Sequence, residues 1–215
     1  MDSSRPSAGK ILHRYTNLAA VMHMLNTRKI TLLNPVYWDD KNDVYFMTKY
    51  KEQKLAKTLL ALCFSESSER YHHWKVFASG MDGVRIEFEK DPLVKMFRSA
   101  TDVVAGSVKY RTFKDIDGGS GIRSEELPFV KRIPYRDERE FRVIYSSNAS
   151  EEDSKEYKIE LSWIRRVTLS PWMPKPLYQS VKDFLLTKVD PKVTDIIKST
   201  LIESDRWKKF ASVVS

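Results

Sequence analysis

Between residues 83 and 89 the chain alternates without a break: Val84, Ile86 and Phe88 are apolar, while Arg85, Glu87 and Glu89 are charged. Successive side chains of an extended strand point to opposite faces, so this spacing predicts a strand buried on one side and wet on the other. Residues 58–65 form instead a continuous apolar run closed by the Ser/Glu cluster at 66–69. Its length and bounds predict a strand buried on both faces.

Nearer the start, a short apolar strand over 11–15 leads to Thr16 as N-cap of a helix whose Leu18, Val21, Met22 and Leu25 recur at helical spacing. Lys29–Leu33 reads as a second strand. Asn34-Pro35 ends it, because proline offers no N–H to a ladder and restricts the residue before it. A polar, aromatic loop over 36–43 holds Tyr37, Trp38, Asp39 and Asp40, and a helix follows over 44–57. The later pattern predicts helices at 70–78, from Pro92 to residue 99, and around Leu177, Val181, Phe184 and Leu185. Strands are predicted at 103–110, 138–145, 157–161, 164–169 and 194–201. Residues 117–124 carry three of the seven glycines and read as a flexible loop. Strands that follow one another directly, without regular alternation with helices, favour α+β over a doubly wound sheet.

With 41% hydrophobic and 31% charged residues, the chain has a globular composition. Its 215 residues suit one core. The expectation is a loose arm at 1–10 followed by a single domain at 11–215. The arm lacks the apolar region of a secretory signal. The longest apolar stretch, 59–64, is far below the ~20 residues that cross a bilayer. Cys63 is the only cysteine, which requires no oxidising compartment and points to the cytoplasm. A net charge of +8 favours acidic partners such as RNA, DNA or a phosphorylated cofactor.

Phosphate loops, nucleophile elbows and metalloprotease helices are missing from the sequence. His72-His73 is the one histidine pair, but adjacent helical residues diverge by about 100° and one cysteine is too few to complete a zinc site, so no metal is expected. The segment from Tyr135 to Arg142 is richer. Strand alternation would send Glu138, Glu140 and Arg142 to one face and Phe141, Val143 and Tyr145 to the other. Read plainly, that is a charged solvent face in which Arg142 neutralises Glu140.

At this point the chain resembles a bacterial family of unassigned function marked by Arg-Tyr, Asn-Pro, Cys-Phe-Ser-Glu, a Trp-containing helix, Gly-Val-x-Ile-x-Phe and Glu-x-Glu-Phe-Arg. Here these are Arg14-Tyr15, Asn34-Pro35, Cys63 to Glu66, Trp74, Gly83 to Phe88 and Glu138 to Arg142, in that order over about residues 12–201. The chain departs at Trp38-Asp39-Asp40, where Phe-Asn-Asp-Pro is expected. The order of polar residues is similar to that of ADP-ribosyltransferases: an arginine on the first strand, a serine after a middle strand, and a late Glu-x-Glu.

That resemblance implies an α+β domain with a central mixed, mostly antiparallel sheet flanked by helices. It also implies NAD as the cofactor and an activity suited to a toxin or antiphage effector, restrained by an antitoxin or inhibitor protein. Glu140 would stabilise the oxocarbenium-like centre left when nicotinamide departs, and Glu138 would face the acceptor. Arg14, beside Tyr15, would hold the diphosphate through its planar fork, and Ser65 the nicotinamide ribose. Tyr37, Trp38 or Trp74 would stack on nicotinamide.

Basic residues interleaved with rings at Lys109-Tyr110-Arg111, and Arg206, Lys208 and Lys209 beside Trp207 and Phe210, make a nucleic acid the expected acceptor. Two alternatives remain at this level. One is a non-catalytic nucleic-acid-binding module, and the other a nuclease placing Mg²⁺ among Asp39, Asp40, Glu138 and Glu140.

Overall fold

The structure is a computed structural model and describes residues 10–119 and 121–212; of the arm expected over 1–10 all but Lys10, and Ser120 of the glycine-rich loop, lie outside the described residues. In chain order, the first half comprises β1 (Ile11–Asn17), α1 (Leu18–Thr27), β2 (Lys29–Leu33), α2 (Lys41–Gln53), β3 (Thr58–Ser65), α3 (Tyr71–Phe77) and β4 (Gly83–Glu89). Next come α4 (Lys90–Arg98), β5 (Val103–Ser107), β6 (Lys109–Arg111), α5 (Phe113–Asp117) and β7 (Val130–Arg132). The chain closes with β8 (Glu140–Ser147), β9 (Ser154–Lys158), β10 (Ile164–Leu169), α6 (Lys175–Leu186), β11 (Asp195–Lys198) and α7 (Asp205–Ala211).

The fold is α+β: a mostly antiparallel sheet of nine strands, with helices against it, and β6 and β7 as a separate parallel pair. Its centre is β3, which pairs along its whole length with β8, from Thr58 opposite Ser147 to Ser65 opposite Glu140. Residues directly opposite share a face. Leu60, Leu62 and Phe64 therefore join Phe141, Val143 and Tyr145 in the main core. Each fully buried side chain of this size contributes roughly 1.5–3 kcal/mol. On the other face Leu59, Ala61 and Ile144 pack against Met47 and Tyr50 of α2. That face turns polar towards the end of β3, at Cys63 and Ser65.

The β4 alternation puts Val84, Ile86 and Phe88 in the core as predicted. Its charged face is graded rather than uniformly wet: Arg85 is buried, Glu87 half-buried and Glu89 exposed, with β10 and β1 paired along the two edges of β4. Arg85 forms an ion pair with Glu87 (2.9 Å) and a hydrogen bond to His13 Nδ1 (2.9 Å). Two local differences matter for the site. Asn17, not Thr16, caps α1. The predicted loop over 36–43 shortens because Asp40 caps α2, its carboxylate accepting the backbone N–H groups of Asn42 and Asp43. No described helix is long and apolar enough to cross a membrane.

Candidate active site at the split in the sheet

One edge of β3 is fully paired with β8, and the other is shared between two strands that each touch it once. Leu33 of β2 meets Ala61, and His13 of β1 meets Ser65. Between these bridges the strands part, and Cys63 faces the gap. Glu140 sends its C=O to Val108 and its N–H to Tyr110, away from β3. Positions 140–65 and 142–63 are thus the non-hydrogen-bonded pairs of that ladder, and the backbone N–H and C=O of Cys63 point into the opening. The carbonyl receives Arg14 Nη1 at 3.4 Å.

A cavity of about 200 Å³ occupies the split, and Arg14, Tyr15, Trp38, Cys63, Ser65, Glu138 and Glu140 all line it. A larger one, about 510 Å³, adjoins it through shared walls at Trp38, Cys63, Phe77, Glu138 and Glu140, and adds Tyr37, Asp43, Lys131 and Tyr135. Ligand sites commonly span roughly 300–1,000 Å³. Arg14, Ser65 and Glu140, far apart in sequence, thus border one space.

Arg14 alternates with His13 and Tyr15 and so leaves the sheet on the other side, but the split lets its guanidinium reach the cavity. It forms no ion pair among the described residues, and burial draws it down to about 10. A half-buried cation without a counter-charge favours an anionic ligand. Tyr15 stands edge-on to both His73 and Trp74, with 5.4 Å between ring centroids in each pair. Ser65 Oγ donates to the Glu138 carbonyl at 2.6 Å and also receives the Ser67 N–H at 3.1 Å, so the hydroxyl closes a turn as well as lining the cavity.

The late acidic segment is not a simple strand. A 3₁₀ turn, Ile133–Glu138, is followed by Arg139 at φ 42°, and β8 starts only at Glu140. Glu138 therefore joins Glu140 through the turn, not by strand alternation. Nor is the charged face wet: Arg142 is fully buried. Its guanidinium grips Glu140 at two points (Nε to Oε1 2.9 Å, Nη2 to Oε2 2.8 Å) and Asp43 at two more, and donates to the Pro128 carbonyl at 2.8 Å. Trp38 covers it, 5.1 Å from ring centre to guanidinium carbon.

Lys131 closes the network: its Nζ lies 2.7 Å from Glu138 and 3.5 Å from both Asp43 and Glu140. Burial alone would lower the lysine, but the three carboxylates outweigh it and raise its pKa. The two glutamates diverge. Burial pushes Glu140 up, yet Arg142 and Lys131 more than compensate and leave it at about 2. For Glu138 burial prevails over Lys131, and its pKa is raised. Paired carboxylates driven apart in this way divide into one that stays ionised and one that can exchange a proton.

Trp74 corrects an expectation: it is fully buried, donates through Nε1 to Glu69 at 2.8 Å, and borders neither cavity, so it anchors the core. Tyr110 is a support for Glu140, its hydroxyl accepting the Glu140 N–H at 2.8 Å. Lys109 pairs with Glu126 at 3.1 Å, and Arg111 is exposed. Arg206, Lys208 and Lys209 form part of α7, away from the walls of both cavities, with Lys208 2.8 Å from Glu203. His73 is buried, with Nε2 3.2 Å from the Asp137 carbonyl, and burial followed by His72 lowers it to about 4. No group of three or more His, Cys, Asp or Glu is arranged to hold a metal among the described residues. Asp40 is engaged as a cap, and Glu138 and Glu140 are held by cations.

Phe77, Asp43, Lys131 and Tyr135 escaped the sequence reading. Phe77 follows Trp74 by three residues on one helix face, a readable aromatic pair. Asp43 three residues after Asp40 is the pattern of a helix start. Nothing local marks Lys131.

Fold and site together define an α+β protein whose split antiparallel sheet holds a cavity lined by aromatic rings, one arginine and a carboxylate pair. No family model and no curated protein sequence matches the chain. Among solved structures it is similar to DarT of Thermus sp. 2.9 in complex with ADP-ribosylated ssDNA, at TM-score 0.45 and 8% identity, over 93% of this chain and 98% of that one. The same DarT in complex with NAD+ gives TM-score 0.45 and 8% identity over 91% and 98%; in complex with carba-NAD+ it gives 0.42 and 8% over 91% and 97%. These are likenesses in the course of the chain.

Proposed function

We propose that this chain is an ADP-ribosyltransferase that binds NAD at the sheet split and transfers ADP-ribose to a nucleic acid. The observation that carries this is the meeting of Arg14, Ser65 and Glu140, contributed by three strands, around one cavity walled by Trp38 and Phe77. A half-buried guanidinium without a carboxylate partner suits a diphosphate. The flanking aromatic rings suit nicotinamide, and the backbone N–H and C=O of Cys63 can pair with its carboxamide. The sequence order shared with ADP-ribosyltransferases supports the same assignment.

In the reaction the bond between nicotinamide N1 and ribose C1′ breaks, and the leaving ring takes the electron pair. Positive charge grows on the ribose, and Glu140, held ionised by Arg142, is placed to stabilise it and to bind a ribose hydroxyl. The acceptor nucleophile bonds to C1′, and its proton passes to Glu138, whose raised pKa suits a general base. Lys131 returns Glu138 to its ionised form as the proton leaves to solvent. The +8 charge favours an anionic acceptor, and the single cysteine fits work in the cytoplasm.

The test is incubation of the purified chain with radiolabelled NAD and RNA, DNA or lysate, beside Glu140→Gln. Label transferred by the wild type and lost in the variant is the expected result. Equal nucleic-acid binding by both proteins, with no label transferred, would mean a non-catalytic binding module. Metal-dependent cutting would mean a nuclease.

A further inference from the structure

A third cavity, about 180 Å³, opens between α2 and the β6–β7 pair. It meets the larger site cavity at Asp40, Asp43 and Lys131, but neither Glu138 nor Glu140 borders it. Its walls are apolar, with Phe113, Ile116 and Ile133 among them, and Arg111 and Arg132 stand at it without an ion pair among the described residues. Phe113 is 68% exposed and already carries the Arg132 guanidinium over its ring at 5.3 Å. An exposed ring beside two cations that form no ion pair among the described residues is a stacking platform with phosphate ligands at hand, a base displacing the Arg132 guanidinium from the ring or taking its free face.

We infer that this cleft is a second nucleotide subsite, which takes the unpaired base next to the acceptor nucleotide while Arg111 and Arg132 hold its phosphates. The inference rests on the proposed transfer to nucleic acid and adds where the strand lies and what sets its sequence preference. The ion pair of Asp43 with Lys131 separates the cleft from the reacting carboxylates, so its occupant is a neighbour of the modified nucleotide. A base inside a duplex cannot enter, because its faces are covered by stacking, so the acceptor is single-stranded. Bases of different size and edge chemistry fill the cleft unequally, which gives sequence context its effect.

The experiment measures binding of fluorescently labelled single-stranded oligonucleotides, the matching duplexes and mononucleotides to the full chain by anisotropy across a salt series. Phe113→Ala should weaken single-strand binding by roughly 5- to 150-fold, the range for loss of one stacked base. The double variant Arg111→Ala/Arg132→Ala should flatten the dependence of log affinity on log salt by about 1.4, for two phosphates lost from a single strand. NAD affinity, read by calorimetry, should hold in both, since none of these residues lines the NAD cavity.

Single-strand affinity unchanged in Phe113→Ala overturns the inference, as does tighter binding of the duplex than of the single strand. Phe113-dependent binding of mononucleotides without any strand binding also overturns it, leaving a site for free nucleotide. Nucleic acid that fails to bind while labelled NAD still modifies protein removes the subsite but not the transferase. Failure of the wild type to bind NAD removes the transferase and with it the role beside an acceptor nucleotide, while Phe113-dependent single-strand binding in that case leaves a strand-binding cleft only.

Discussion

Replacing Arg142 by Met tests the buried network that fixes Glu140. The side chain is fully buried and answers both Glu140 and Asp43, which are themselves buried. Met fills a similar volume but leaves two carboxylates in a poorly solvated pocket, with only Lys131 at 3.5 Å from each. Removing one partner of a buried ion pair costs about 3–5 kcal/mol, because the remaining charge cannot be rehydrated. A chain of 215 residues shifts its melting temperature by about 2–4 °C per kcal/mol, so the variant should melt about 6–20 °C lower at pH 7. The loss also depends on pH. In the wild type Glu140 is depressed from 4.5 to about 2, so its stabilising contribution is complete above about 4.5 and disappears as the pH falls towards 2. Without Arg142, burial is left to raise Glu140, and protonation then relieves the variant as the medium is acidified. Urea unfolding followed by far-ultraviolet circular dichroism should show the gap between the two proteins narrowing from pH 7 to pH 4.5. A cost below about 1 kcal/mol that is constant with pH would mean that these charges are hydrated and the network is not what holds the site.

Arg14→Ala should weaken NAD binding by roughly 10- to 150-fold, the loss of a charge-assisted hydrogen bond worth about 1.5–3 kcal/mol, and calorimetry with NAD checks it. Glu138→Gln should reduce transfer to acceptor by about 10²–10⁴-fold while NAD cleavage by water persists, as seen by comparing labelled product with free nicotinamide. The wild-type transfer rate should fall on the acid side at a pH above that of an ordinary carboxylate, because Glu138 is raised and a protonated base is inactive. Gly83→Ala should lower the melting temperature by several degrees, since its Cβ would collide with the Ala78 carbonyl where β4 begins; an unchanged melt would mean that the turn yields easily.

Much of the strand content was written in the pattern of single segments. Lys29–Leu33, Thr58–Ser65 and Ile164–Leu169 have the predicted bounds, and each ends at a polar or proline-containing stretch: Asn34-Pro35, the Ser/Glu cluster at 66–69 and Ser170-Pro171. The stretch expected as one strand over 103–110 breaks into β5 and β6, since Val108 leaves the sheet while its N–H still bonds to Glu140. The basic aromatic tail forms the helix α7 under a Ser204 cap. Arg14, Ser65 and Glu140 were legible as residue types in order, without any indication of where they would meet.

By itself the sequence determined the local elements, their apolar faces and the kinds of side chain available for chemistry, because alternation, capping and turn residues act over a few positions. Only the tertiary structure decided that β1 and β2 part along one edge of β3, which lets an arginine on the far side reach the cavity that the late carboxylates also line. It alone buried Arg142 and brought Asp43 and Lys131 to Glu138 and Glu140. Pairing between distant strands depends on competition among edges across the whole sheet, and no local pattern encodes which edge stays open.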